Sequence, residues 1–250
     1  MSEKKSVDII ENVQPAVQKM FELFGRITKP HPWHGITAGD DAPNAVTCFI
    51  ESVPGDAIKY EINKKNGYLM VDRPQKFSSL CPTVYGFIPQ TYCGVETAKL
   101  CMEATKLENV IGDGDPLDCC VLSTRTITHG DLILTAVPIG GFRMIDNGEA
   151  DDKIICVVQG DSVMKEWNDL KDAPAAYVDM IRHYFLTYKL NPSQPDEHPV
   201  SIPQVYGREE ALKVIAASQT DYAKKYGNLQ REFAQAVVDA VKETAENLKK

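Results

Sequence analysis

Between Gly112 and Asp118 the chain reads Gly-Asp-Gly-Asp-Pro-Leu-Asp, and no other stretch limits its fold so strongly. Asp113, Asp115 and Asp118 fall in one short segment, broken by a glycine and a proline. Carboxylates held that close repel one another and raise each other's pKa. A folded chain keeps them together where cations neutralise the charge, and oxygen ligands suit Mg²⁺, Mn²⁺ or Ca²⁺. A second acidic cluster, Asp146, Glu149, Asp151 and Asp152, runs directly into Lys153. Two acidic clusters beside a lysine point to metal ions and a phosphate-rich substrate.

Known acidic motifs narrow this further. A calcium-binding EF-hand would need a ligand at Leu117, a glycine at Asp118 and a glutamate at Thr124, and none is there. An aspartyl-phosphate phosphatase would follow its Asp-x-Asp pair with Thr or Val after a buried parallel strand, where this chain has Pro116-Leu117. A Gly-x-x-x-x-Gly-Lys-Ser/Thr nucleotide loop is missing. On this segment alone, a plain acidic turn stays open beside the metal site.

The rest of the chain predicts a scaffold of short strands flanked by helices. Val7, Ile10, Val13, Val17, Met20, Phe21 and Phe24 recur at helical spacing over residues 7–25. Lys29 to Pro43 reads as a loop in which His31 and His34 flank Trp33; with no further ligand nearby in sequence, a packing role fits these histidines better than a metal. Strand patterns follow at Val46–Val53, Ala57–Ile62, Tyr68–Val71, Cys119–Leu122, Asp131–Pro138 and Ile154–Val158. Asn66-Gly67 between two of them is a hairpin signal. The early strands lie too close together for helical crossovers, which favours a mostly antiparallel, barrel-like sheet. Residues 92–111 read as an irregular insert with room for a short helix at Glu96–Asn109. Pro174–Leu190 is a helix, Asn191 to Pro203 a proline-rich loop, and Arg208–Leu229 and Arg231–Leu248 are helices with a weak point at Gly227. The expected organisation is a single domain over 1–250, with a core at about 46–190 and helical extensions at 1–45 and 195–250.

Composition excludes several functions. The net charge of −8 argues against nucleic acid as a partner, because phosphate backbones need basic surface. No stretch approaches the ~20 apolar residues of a membrane span, and the start of the chain carries no apolar signal core. The seven cysteines are irregularly spaced with no Cys-x-x-Cys, so reduced thiols and a cytoplasmic location are expected. Cys119 and Cys120 sit in an apolar run and read as core residues.

Other residues gather around the acidic clusters. Lys59 and Glu61 alternate about Tyr60 on a predicted strand, so they share one face. Glu51 precedes them, Arg73 ends the next strand, Tyr85 precedes Gly86, and Tyr188-Lys189 closes a helix. Each has a duller reading by itself: an ion pair, a solvated strand end, a packed ring. Their order and spacing together resemble family I (soluble) inorganic pyrophosphatase. The likeness runs from Glu51 to Lys189 and rests on Asp113-Gly-Asp-Pro-Leu-Asp118, Ile58-Lys-Tyr-Glu61, Val71-Asp-Arg73, Tyr85-Gly86, Asp146…Asp151-x-Lys153 and His183-Tyr-Phe185…Tyr188-Lys189.

The resemblance implies an α+β, mainly β fold: a five-stranded OB-like closed barrel with helices packed outside it. It implies hydrolysis of pyrophosphate to two orthophosphates by a metal-bridged water, with several Mg²⁺ ions per site and Mn²⁺ as an alternative. Carried over by motif position, Asp115 would be the general base. Asp113, Asp118, Asp151, Asp146 and Glu61 would hold metal. Lys59, Arg73, Tyr85, Lys153, Tyr188 and Lys189 would hold phosphate oxygens, with Glu51 in support at the edge. Family members are homo-oligomers, dimers or hexamers. Two departures stand out. Cys81 lies where many members have an active-site tyrosine, and Asp152 adds a carboxylate that period 2 turns away from the site.

Overall fold

The computed structural model describes residues 25–194 and 197–247, together with Lys19 and Leu23. Most of the helix expected at 7–25 lies outside the described residues, although 25–27 are helical. Residues 31–222 form one compact unit, and the described residues before and after them group separately.

The core is built on five strands: β1 (Val46–Ser52), β4 (Val84–Phe87), β6 (Asp118–Leu122), β7 (Leu132–Asp146) and β9 (Lys153–Val158). Pairing runs β1–β4–β6–β9–β7 and returns from β7 to β1. All these pairs are antiparallel except β6–β9. The parallel pair β6 and β9 is buried on both faces and reads as apolar runs, whereas β7 alternates over Leu132–Ala136 before its second half is buried. The two faces separate by period 2. Cys48, Ile50, Val84, Cys119, Val121, Ala136, Ile154 and Cys156 enter one core cluster. Cys120, Leu122, Phe142, Met144, Ile155 and Val157 enter a second. Cys119 and Cys120 are both fully buried, as their apolar run predicts.

A second, two-stranded sheet holds β2 (Ile58–Ile62) and β3 (Leu69–Pro74). The hairpin turn forms where Asn66-Gly67 predicts it. Gly67 N donates to Asn63 O at 2.7 Å, with φ at +73°. A Cβ at Gly67 would also meet Pro32 Cδ at 2.5 Å, so both backbone and space ask for glycine.

Several elements differ from the sequence reading or add to it; β4, for one, is not among the expected strands. The expected end of a strand at Pro138 is a bulge, and β7 runs on to Asp146. Proline and the Gly140-Gly141 pair look like a stop, yet here the glycines admit a neighbour: a Cβ at Gly140 would lie 2.4 Å from Tyr206 O. That neighbour is β10 (Val200–Gly207), which lies partly within the supposed proline-rich loop and pairs with β7. The C-terminal extension is therefore not wholly helical. The insert holds a helix, α1 (Val95–Thr105), with Ala98 and Cys101 buried, ending at Lys106 in the left-handed region. Short pieces β5 (Ile111–Gly112) and β8 (Glu149–Ala150) pair in parallel beside it.

Helix α2 (Ala175–Thr187) starts after Pro174, which suits a helix entry, and buries Ile181 and Phe185 one turn apart in the second cluster. Helix α3 (Arg208–Tyr226) puts Ala211, Val214 and Ile215 into the first cluster. Helix α4 (Leu229–Asn247) follows a break at Gly227. The histidine loop is a packed ring group: Trp33 stacks on His34, whose Nδ1 lies 2.9 Å from the Tyr222 hydroxyl. Burial, then the neighbouring His31, lower the His34 pKa to about 4. Among the described residues no helix is long and apolar enough to cross a membrane.

Candidate active site

Strand register assembles the site. The parallel pairing of β6 with β9 sets Asp118 opposite Lys153 at the shared start of both strands. The parallel pairing of β5 with β8 sets Gly112 opposite Ala150, so Asp113 and Asp151 leave those strands side by side. Tyr85 on β4 faces Cys120 on β6, one turn of the pleat from Asp118. In the hairpin, Lys59 pairs across from Arg73. Asp146 ends β7, and Tyr188 and Lys189 follow α2.

These residues meet in one cavity of about 350 Å³. Asp113, Asp115, Asp118, Asp146, Asp151 and Glu61 line it with oxygen, and Lys59, Arg73, Lys153 and Lys189 line it with positive charge. Tyr85, Tyr188 and Glu51 complete the set of thirteen positions singled out from the sequence. Cys81 is buried and is not among the residues lining the cavity, with its Sγ 3.7 Å from Thr83 Oγ1. Asp152 also turns away, accepting a bond from Arg143 Nη1 at 2.7 Å and another from the Tyr206 hydroxyl at 2.9 Å.

The two charge signs interlock. The Lys153 ammonium donates to Asp118 Oδ2 at 2.5 Å and also contacts Asp151. Lys59 contacts Glu61 and lies 3.4 Å from Asp72. Lys189 contacts Asp146, and Lys64 contacts Asp115. Burial disfavours the Lys153 ammonium, but Asp118 and Asp151 together hold its pKa well above the usual lysine value. Burial first, and then Asp151, push the Asp113 carboxyl far above the carboxylate range. Burial and the charge on Asp118 raise Glu51 to about 8. Tyr85, half-buried and donating to Asp118 Oδ2 at 2.5 Å, has its pKa raised by desolvation and then by the charge on Asp118, and stays a neutral donor. Among the described residues no three His, Cys, Asp or Glu side chains converge as a ready metal-ligand set; ammonium groups lie among the carboxylates instead.

A sequence model of the inorganic pyrophosphatase family matches residues 48–223, most of the chain and all of the cavity. The chain belongs to the inorganic pyrophosphatase family. The inorganic pyrophosphatase of Chlamydia caviae is 48% identical over 203 residues, covering 78% of this chain and 92% of that one. The soluble inorganic pyrophosphatase 2 of Chlamydomonas reinhardtii is 36% identical over 203 residues, covering 81% and 94%. The crystal structure of the Thermus thermophilus inorganic pyrophosphatase superposes with a TM-score of 0.62 at 30% identity, covering 75% of this chain and 96% of that one.

The pyrophosphatase cavity also has members that the sequence reading did not assign. Tyr184 lines it one helical turn before Tyr188, with ring centroids 5.2 Å apart, and the i, i+4 spacing could have signalled it. Glu149 was legible in the second acidic cluster but carried no role. Asp72 sits beside Arg73 on β3. Lys64 lies in the hairpin loop beyond the end of β2, where the alternation of the strand stops, so no pattern points to it.

Proposed function

We propose that this chain hydrolyses inorganic pyrophosphate to two orthophosphates, with Asp115 as the general base. The observation that carries the reading is a single cavity with carboxylates beside a lysine, arginine and tyrosine lining. A carboxylate cluster alone would repel a polyanion, and a basic cleft alone would bind it without activating water.

The donor set fits divalent cations. Six carboxylates supply hard oxygen ligands, and the raised Asp113 and Glu51 carboxyls lie where negative charge is crowded and dehydrated. Asp113, Asp118, Asp151, Asp146 and Glu61 would hold the ions, with Mg²⁺ as the first choice and Mn²⁺ as an alternative. When bound, such ions neutralise the phosphate oxygens and make water a better nucleophile at neutral pH.

The chain's own groups do the rest. Asp115, which lines the cavity, would accept the proton of the attacking water at a carboxylate oxygen. Arg73 can grip two phosphate oxygens at once through its planar guanidinium. Lys59, Lys153 and Lys189 balance charge on the leaving phosphate. Tyr85 and Tyr188 give hydrogen bonds without adding net charge. Glu51 accepts the Ile62 N–H at 2.8 Å and so steadies the strand that carries Lys59 and Glu61. The same reading makes the ring of strands an OB-like barrel and the protein a cytoplasmic homo-oligomer, a dimer or hexamer. Seven buried, free cysteines support a reducing compartment.

The test is phosphate release from pyrophosphate in Mg²⁺. Release should stop with EDTA, and Asp115→Asn should slow it by about 10²–10⁴-fold. Mg²⁺ binding without phosphate release from the native chain would reject the enzyme reading.

A further inference from the structure

The aspartate run is shaped by a neighbouring stretch of backbone. Ile88 N donates to Leu117 O at 2.9 Å, and Leu117 N donates to Thr91 Oγ1 at 2.8 Å. Cys93 N donates to Asp115 O at 2.8 Å, and Gly114 N donates to Cys93 O at 3.0 Å. Residues 88–94 thus form a rail on which 112–117 is laid. The approach is close enough that a Cβ at Gly112 would fall 2.2 Å from Cys93 O.

The rail is tied to α3 on its other side. Tyr92 N donates to Ser218 O at 3.0 Å. The Asp221 carboxylate accepts the N–H groups of Gly94, Glu96 and Thr97 at 3.0–3.1 Å, and the Thr97 hydroxyl lies 3.3 Å from it. Asp221 and Ser218 are buried, and neither lines the catalytic cavity. Gly94 occupies the N-cap of α1 without a side chain to cap it, so the cap comes from a helix 127 residues away in sequence.

We infer that Asp221 is a positioning residue for hydrolysis: it fixes Gly94, and through the Cys93 backbone it fixes Asp115. The inference rests on the reading of Asp115 as the general base. Glycine at 94 has little stiffness of its own. Without the Asp221 carboxylate, the N–H groups of Gly94, Glu96 and Thr97 lose their acceptor and the rail is free to shift. Cys93 carries the Asp115 carbonyl with it. The phosphate-binding side chains Lys59, Arg73, Tyr188 and Lys189 stand on other elements and keep their places.

The experiment is steady-state, Mg²⁺-dependent pyrophosphate hydrolysis by the full chain, well below its melting temperature. The variants are Asp221→Ala, Asp221→Asn, Asp115→Asn, the double variant, and Val214→Ala as a control that weakens α3 packing without removing a hydrogen bond to the rail. Asp221→Ala should lower kcat by about 10- to 100-fold, as an ångström-scale misplacement does, and leave KM within about twofold. Asp221→Asn keeps one acceptor oxygen and should fall between, and it carries the test if the alanine variant does not fold. Val214→Ala should lose melting temperature and keep kcat. The double variant should be no slower than Asp115→Asn, because one residue acts through the other. Unchanged kcat in both Asp221 variants, an equal loss in Val214→Ala, or a loss that adds in full to that of Asp115→Asn would overturn the inference. Normal kcat in Asp115→Asn would instead reject the general-base assignment itself, and the proposed route with it.

Discussion

Arg143 is fully buried, an unusual place for a guanidinium. It is held by Asp152 at 2.7 Å, by contact with Glu210 on α3, and by the Tyr206 ring, whose centroid lies 5.0 Å away. This group ties β7, β10, α3 and the residue that leads into β9 together directly behind Asp151 and Lys153. Removing one partner of a buried ion pair leaves the other charged, dehydrated and alone. Arg143→Ala should therefore cost about 3–5 kcal/mol in urea unfolding. Adding Asp152→Asn should recover part of that loss, since the stranded charge is gone. Equal stability of the single and double variants would refute the account. Arg73 answers to a different pressure. Its guanidinium faces the cavity and lies 6.0 Å from the Tyr188 ring centroid. Arg73→Lys keeps the charge but loses the two-pronged grip, so KM for pyrophosphate should rise by about tenfold, the worth of one good hydrogen bond. An unchanged KM would remove Arg73 from the phosphate contacts.

At the scale of elements, the decisive feature is the continuation of β7 beyond Pro138. Its second half pairs with β9 on one side and β10 on the other, and it delivers Asp146 to the cavity. Gly141 makes this possible: a Cβ there would fall 2.6 Å from the Tyr206 ring and 2.7 Å from Lys153 O. Gly141→Ala should therefore destabilise the fold by about 1–3 kcal/mol through overpacking and lower kcat by disturbing the strand that carries Lys153. Chemical denaturation and phosphate release check the two effects; an alanine variant with native stability and rate would show that β7 and β10 can part without consequence. The two glycines and the proline read as a strand end because sequence patterns describe one strand at a time. A close approach by a partner strand 60 residues later leaves no local signal beyond the small side chain itself.

At the scale of the molecule, charge is the governing quantity. Burial and Asp118 raise the folded-state Glu51 to about 8, and burial and Asp151 also raise Asp113. Both stand above their ordinary values of 4.5 and 3.8. The folded protein therefore holds protons that the unfolded chain has already released. By linkage, stability without metal should fall as pH rises from about 5 towards 8 and beyond. Divalent cations favour the ionised carboxylates, so Mg²⁺ should stabilise most at the alkaline end and flatten the slope. Melting temperatures from pH 5 to 9, with Mg²⁺ and with EDTA, would show this as two diverging curves. Parallel curves would mean that the acidic cluster does not bind the ion.

The chain's own order of residues determined the chemistry: aspartates at spacings two and three, a lysine and glutamate on one strand face, and an Asn-Gly turn to fold that strand back. These are short-range patterns, and charge, alternation and turn geometry are properties of neighbours along the chain. The apolar runs of β6 and β9 were legible for the same reason, because a strand buried on both faces needs no partner to be recognised. What only the tertiary structure decided is which segments meet. The parallel register sets Asp118 beside Lys153, the hairpin loop brings Lys64 to Asp115, and α3 reaches across to cap α1 with Asp221. Each joins residues that are distant in sequence, and the bonds concerned are made by backbone groups or by common charged side chains. A backbone N–H carries no sequence mark, so its partner becomes visible only once packing has chosen it.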